Sequence, residues 1–471
     1  MKKLISWEEC NSLSISQVHN LYRNYVNPEQ VELIGSFGFG RDLVEKSEGM
    51  YFYTKTGTKV LDFTGGISVL NHGHNHPEIL KARIKYQKQI RPEVHKNFLS
   101  PYIAGLSKNI ASILGCDLDT SYFCNSGSEA VEGATKLAYK YHGGKRKSIA
   151  RSNIAFHGKL LGSGGLTGSP ELRFQFPTIP NIKTFEYDNI DSLKRIVKNS
   201  KKKGISDLYA IIIEPFNASS LRFCSKEFLS ELRDITLKED IILIYDEVYS
   251  GWAKTGDIFY FMKDKIIPDI VTYAKSFGGG KSSISGYTTK MSIFKKSYGN
   301  LGDAILHSTT YNGFGEETIT AMKAIEIIIK DNYQNKSKNI YKYLNPKLNH
   351  LMEKYPKLIH DVRGSGSLNG IIIKSRAPKI LKSLLQRIPS NLLNDERFLD
   401  KLITSSVISE LYNKYNILTF YGDNIDVPLK VSPSLIVTKK QMDYFVDSLD
   451  KVLSMGEVSL LRKFITQKWK K

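Results

Sequence analysis

The sequence predicts a large α/β protein whose ligand crevice lies where strands end. Three stretches carry that expectation. The apolar run 241–245 (IILIY) is closed by Asp246 and reads as a buried strand ending in a carboxylate. A second β-rich run, 269–273 (DIVTY), leads to Lys275, Ser276 and three consecutive glycines. The stretch FCNSGSEAVEGATKLAYKY reads as a short strand over 122–124, a small polar turn over 125–128 and a helix from Glu129. Its apolar residues at 130, 131, 134, 137, 138 and 141 recur at helical spacing. Open α/β sheets place ligands outside the carboxyl ends of their strands, so Asp246 and Lys275 can share one crevice.

Composition sets the outer bounds. At 471 residues the chain can bury a large core in two domains. A hydrophobic content of 41% is ordinary for a soluble globular protein. No run approaches the roughly eighteen apolar residues that cross a membrane. WEEC interrupts any apolar signal segment after the opening MKK. Cys10, Cys116, Cys124 and Cys224 lack paired spacing, which points to reduced thiols and a cytoplasmic protein. The net charge of +20 is spread along the chain. Its dense clusters, KRIVKNSKKKG near residue 200 and RKFITQKWKK at the end, read as solvated helix ends and a tail. A generally basic surface is therefore expected, with neither nucleic acid nor membrane as partner.

The other elements follow in order. Residues 1–48 hold a helical pattern and then VNPEQVELIGSFGFG, which reads as loop and turn, in an N-terminal arm without a catalytic group. YFY and KVLDF are strands about a Thr-Gly turn. His72, His74 and His76 alternate, but no cysteine or carboxylate stands close by with ligand spacing, so no metal site is expected. Residues 78–114 are helical around a break at 91–101. IIIEP ends a buried strand at Glu214. Residues 331–374 give a long helix, a turn at Tyr355-Pro356 and a strand. Residues 375–405 are polar and helical and suggest no function, and VISELYNKYNILTFYG returns to helix and strand.

A polar turn that opens a helix offers free N–H groups and the positive end of a dipole, so it can hold a phosphate. Taken alone it is an ordinary N-cap. An acid facing a pyridine nitrogen and a lysine able to form a Schiff base are what pyridoxal phosphate chemistry requires. DEVYSGWAKTG and PDIVTYAKSFGGG resemble the Asp and Lys signatures of class III (ornithine/putrescine type) pyridoxal-phosphate aminotransferases. Other stretches keep that family's order from about residue 50 to about residue 445.

The resemblance implies fold type I, with a mostly parallel central sheet in a large domain and a small α+β domain formed by the two chain ends. It implies an arm and part of the small domain over 1–65, the large cofactor-binding domain over 66–330 and the C-terminal small domain over 331–471. The implied reaction moves an amino group from an amine or amino-acid donor to a carbonyl acceptor, through a Lys275 Schiff base and pyridoxamine phosphate. The implied assembly is a homodimer with sites at the subunit interface.

Residue by residue, Ser126, Gly127 and Ser128 become the phosphate cradle, and Phe156 stacks on the pyridine ring. Val248 packs on the opposite ring face, Asp246 keeps the ring nitrogen protonated, and Glu214 faces the site. Lys275 must be neutral to attack, and once freed by substrate its amine carries the proton. Thr310, before Tyr311, matches a threonine that touches the phosphate from the neighbouring subunit. Gly65, Gly66 and Ile67 match residues placed by substrate, and His157 either lines the pocket or is purely structural.

The departures bear on substrate. Tyr249 stands where glutamine is common and can donate the same hydrogen bond to the ring hydroxyl. NASSLRF replaces a Gly-rich continuation after Glu214, and Asn312, Gly313, Phe314 and Gly315 replace Gly-Gly-Asn-Pro. Lys430 and Ser434 occupy the Arg-x-x-Pro-Pro-Leu motif, whose arginine clamps a carboxylate. Lysine is a point charge without the bidentate fork. Lys430 therefore binds a carboxylate more weakly or faces a substrate without one, which puts a 2-oxoglutarate half-reaction in doubt. Racemisation, epimerisation or decarboxylation on the same cofactor, and a non-catalytic protein of this fold, are the alternatives.

Overall fold

The backbone is organised by a seven-stranded sheet whose middle strands are too apolar to face water on either side. The computed structural model describes residues 4–94, 97–168, 179–375 and 395–468. The sheet contains β1 (Leu118–Cys124), β2 (Ser148–Ser152), β3 (Ile182–Phe185), β4 (Leu208–Ile213), β5 (Ile242–Asp246), β6 (Ile270–Tyr273) and β7 (Ser285–Lys290). Their order across the sheet is β1-β7-β6-β5-β4-β2-β3. Pairing is parallel from β3 through to β6, and β7 runs antiparallel to both β6 and β1. Every residue of β4, β5 and β6 is buried, as continuous apolar runs in a helix-covered parallel sheet must be.

The helix Gly127–Tyr141 covers one face of this sheet. Ser126 caps it, its side chain accepting from Glu129 N while the Glu129 carboxylate reaches back to the cap. Its buried stripe, Ala130, Val131, Ala134, Leu137 and Ala138, is the one its spacing predicts.

Two smaller four-stranded sheets come from the chain ends. One joins Val44–Glu48, Tyr51–Thr54 and Lys59–Asp62 to Ile417–Leu418, with Leu61 paired in parallel to Ile417. The other is antiparallel and runs Ile359–Ser365, Leu368–Ile373, Pro428–Val431, Phe420–Tyr421. The helices Tyr333–Lys354, Phe398–Tyr415 and Lys439–Leu453 bury residues in the same hydrophobic cluster as the large sheet.

Two readings change. The stretch read as loop after residue 26 contains a helix, Pro28–Phe37. Asn27 caps it by accepting from Glu29 N and Gln30 N, Pro28 supplies the preset φ of a first turn, and Gly38 closes it at φ 85°. The polar stretch 375–405 lies outside the described residues over 376–394, and its last part belongs to the helix Phe398–Tyr415.

The alternating histidines are tied to the framework. His72 Nε2 lies 3.0 Å from Ala324 O, and His74 Nε2 lies 3.0 Å from Asp62 Oδ2. Asp62 Oδ1 also accepts from Thr64 N, Thr64 Oγ1 and Gly65 N, which fixes the turn into residues 65–68. Asp62→Ala should therefore lower the unfolding free energy by about 3 kcal/mol, since it leaves three buried donors and His74 without their acceptor. A shift of the urea midpoint at unchanged slope checks this.

Candidate active site

Parallel strands end on the same side, so three chemical groups meet at one edge of the sheet. Glu214 follows β4 directly, Asp246 closes β5, and Lys275 comes two residues after β6. They line a single cleft of about 730 Å³. Lys275 opens a short 3-10 turn, Lys275–Gly278, at φ 52°. A left-handed conformation at a non-glycine residue costs about 1–3 kcal/mol and is commonly kept where function requires it.

The Asp246 carboxylate is fully oriented. Its Oδ1 accepts from Val248 N (3.0 Å) and Thr272 Oγ1 (3.1 Å), and its Oδ2 lies 2.7 Å from His157 Nδ1. An ionised carboxylate only accepts, so Nδ1 carries the proton of that bond. The His157 ring is buried, and its Nε2 has no partner among the described residues. Glu214 is wired to the loops around it. Its Oε2 accepts from Phe156 N (2.8 Å) and Asn217 Nδ2 (2.7 Å), and its Oε1 accepts from Ala218 N (2.9 Å). Burial pushes its carboxyl up to about 7, against the pull of His157 and of the Ala218 and Phe156 amides. Glu214 thus fixes the position of Phe156, which lines the cleft together with Val248.

Burial in the cleft pulls the Lys275 amine below its ordinary range, and Asp246 and Glu214 oppose that pull. The Lys275 Nζ lies 5.6 Å from the centre of the Tyr249 ring. Tyr249 itself is buried, and burial pushes its phenol up to about 12. Its hydroxyl is engaged by Ser68 and Ser432. At the rim, the amides of Gly127 and Ser128 open the helix Gly127–Tyr141 and have no backbone partner among the described residues. A Cβ on Gly127 would stand 3.0 Å from Val248 Cγ1, so the bare backbone lets these two walls approach.

The pattern of the family described as aminotransferase class-III matches residues 41–453. The chain belongs to the class-III aminotransferases. Solved structures agree on the fold. A transaminase from the marine bacterium Virgibacillus superposes with a TM-score of 0.79 at 22% identity, over 96% of this chain and 99% of that one. The ornithine aminotransferase of Toxoplasma gondii ME49 gives 0.79 at 18% identity, over 96% and 99%. The taurine:2-oxoglutarate aminotransferase of Bifidobacterium kashiwanohense, solved with pyridoxal phosphate and glutamate, gives 0.79 at 20% identity, over 95% and 99%. The fold is that of fold type I, and the aminotransferase is pyridoxal-phosphate-dependent.

The residues of this aminotransferase fit that cofactor. Two open amides at a helix N-terminus suit a phosphate, an oriented carboxylate suits a pyridinium, and a desolvated amine suits an aldehyde. Of the residues singled out in the sequence, Ser126, Gly127, Ser128, Phe156, His157, Glu214, Asp246, Val248, Tyr249, Lys275, Ile67 and Lys430 line the cleft. Gly66 stands next to Ile67 without lining it. Thr310 is exposed and is not part of this chain's own cleft.

Sequence reasoning missed the wall made by Phe420, Tyr421, Gly422 and Asp423. It also passed over Lys254, a fully buried amine that donates to Pro433 O at 2.8 Å and that burial pulls down to about 7. Lys254 lies inside the Asp motif, which was the available signal.

The His157–Asp246 bond yields a prediction. His157→Phe, which leaves the carboxylate one donor short, should weaken cofactor binding about 10- to 100-fold. His157→Asn, whose amide can still donate, should lose less. Equilibrium dialysis against pyridoxal phosphate measures both.

Proposed function

We propose that this aminotransferase attaches its cofactor at Lys275 and works as a homodimer, with an amine or amino-acid donor and a carbonyl acceptor taking turns in one cleft. The observation that carries the reading is the pair Lys275 and Asp246 on the floor of a single cleft, below an open helix N-terminus.

Bound pyridoxal phosphate supplies an aldehyde to receive the amino group and a ring that spreads the electrons of the carbon–hydrogen bond being broken. The protein does the rest. Gly127 and Ser128 present their amides to the phosphate, with the positive end of the helix dipole behind them. Asp246, held by His157, Thr272 and Val248, keeps a negative charge facing the ring nitrogen. Phe156 and Val248 confine the ring, and Glu214 holds Phe156 in place. Lys275, desolvated and so readily neutral, serves as nucleophile and then as the base that moves a proton from the substrate carbon.

Two observations support the homodimer. Thr310 is exposed and outside the cleft, where it can serve a second copy. The segments around residues 93 and 315 meet where Gly315 N donates to Glu93 O, and the stretches beside them expose Leu99, Leu301, Ile305 and Tyr311. Apolar groups of that size at the surface mark an interface.

Borohydride reduction of the holoenzyme should tether the cofactor to the peptide carrying Lys275. Lys275→Ala should lose the cofactor's characteristic absorbance and about 10³-fold in turnover. Cofactor fixed to another lysine, or an unchanged spectrum in Lys275→Ala, would sink the assignment. Sedimentation should give twice the chain mass, and Thr310→Ala should bind cofactor more weakly without altering that mass.

A further inference from the structure

The residue after Lys275 is buried and does not line the cleft. The Ser276 Oγ nevertheless spans two segments that meet beneath it. It lies 3.1 Å from Ser68 O and 3.0 Å from Val69 O. A hydroxyl carries one proton, so the two carbonyls share it. Both carbonyls belong to the turn that follows the strand Lys59–Asp62.

That turn is a stiff anchor. Gly65, Gly66, Ile67 and Ser68 take successive left-handed conformations, at φ 54°, 60°, 61° and 65°. For a β-branched residue such as Ile67 this backbone state is rare, and it persists only where the surroundings over-determine it. Here they do. Asp62 accepts from the amides of Thr64 and Gly65, and Thr64 Oγ1 accepts from Gly66 N. Val69 N and Leu70 N both donate to Gly65 O, at 2.8 and 2.9 Å. Ser68 Oγ lies 2.7 Å from Ser432 Oγ, and a Cβ on Gly65 would stand 2.5 Å from Ser432 O. The turn is thus pinned from both sides.

The lysine segment leans on that anchor. Lys275 is itself left-handed, at φ 52°, and among the described residues its amine makes no hydrogen bond or ion pair. Farther along, Leu70 fills the space that a Cβ on Gly280 would take. Asn71 Nδ2 donates to the carbonyl of Trp252, whose ring stacks on Phe277 with centres 4.9 Å apart. These contacts hold the end of the loop. The Ser276 hydroxyl is the polar tie between the turn and the lysine's immediate neighbour.

We propose that Ser276 is a positioning residue for Lys275. Hung on the carbonyls of Ser68 and Val69, it keeps the lysine backbone left-handed and the amine aimed into the cleft. Reactions between held groups are sensitive to displacements of about 1 Å. The inference rests on the reading that Lys275 attaches the cofactor and adds the residue that aims it.

The test compares two forms of the cofactor on the full chain stripped of cofactor. The aldehyde of pyridoxal phosphate condenses with a lysine amine and releases water. Pyridoxamine phosphate has an amine in that place and binds without that bond. The ratio of their affinities, measured by equilibrium dialysis, therefore reads Lys275 apart from the rest of the cleft. In Ser276→Ala the preference for pyridoxal phosphate should fall about 3- to 10-fold, with pyridoxamine phosphate bound as before. Ser276→Thr, which keeps the hydroxyl, should restore the ratio. A merely structural bond would weaken both forms alike, so an unchanged ratio in Ser276→Ala overturns the proposal. A ratio that falls as far in Ser276→Thr overturns it too. If Ser276→Ala does not fold, Ser276→Cys, similar in size but a weak donor, takes the same comparison. Lys275→Ala should erase the preference altogether. If it does not, the Lys275 assignment fails, whatever the Ser276 variants show.

Discussion

Parallel pairing of three fully buried strands is the constraint on which the rest of this molecule depends. Because β4, β5 and β6 run the same way, their carboxyl ends emerge together, and each carries its polar residue just as the chain leaves the core. Each of these groups would be prohibitive inside the sheet and ineffective far from it. At the edge it is desolvated on one side and open to ligand on the other. The turn into the helix Gly127–Tyr141 supplies what a strand end lacks, unsatisfied N–H groups.

Acids and amines are treated differently in the cleft. The acids arrive satisfied, Glu214 by three N–H donors and Asp246 by a hydroxyl, an amide and an imidazole. The amines do not. Among the described residues Lys275 makes no ion pair, and the Lys430 amine donates to one carbonyl. Satisfied acids hold the architecture still, and they also supply the negative potential that limits how far the amines are depressed. The walls are thereby fixed, and the groups left to react with what enters are basic.

Much of this was legible in the chain because it is written in contiguous stretches. A strand, its terminal acid and the following loop occupy a dozen residues, so Asp246, Glu214, Lys275 and the Ser126 turn could be placed without knowing the fold. The helix Pro28–Phe37 was misread because its glycines outweighed the cap, although Asn27, Pro28 and Glu29 are a helix start. What was hidden depends on distant pairings. The Lys430 side chain reaches its place because Gly422 lacks a Cβ and Ala218 offers a carbonyl, and no local pattern joins those positions. The neighbours of the Tyr249 hydroxyl, Ser68 and Ser432, likewise come from distant parts of the chain that no local pattern joins.

The parallel pair between Lys59–Asp62 and Ile417–Leu418 closes one of the two four-stranded sheets with residues from near the two ends of the chain. During synthesis the first of these strands is made early and its partner very late. Until then its hydrogen-bonding edge stays open, and the turn that places Ile67 at the cleft has no finished sheet behind it. Contacts of such long sequence separation are slow to form, and open strand edges pair promiscuously. The active cleft can therefore be completed only after the ribosome has released nearly the whole chain. A truncated product that ends before residue 417 would carry β4, β5 and β6 and still expose a sticky edge.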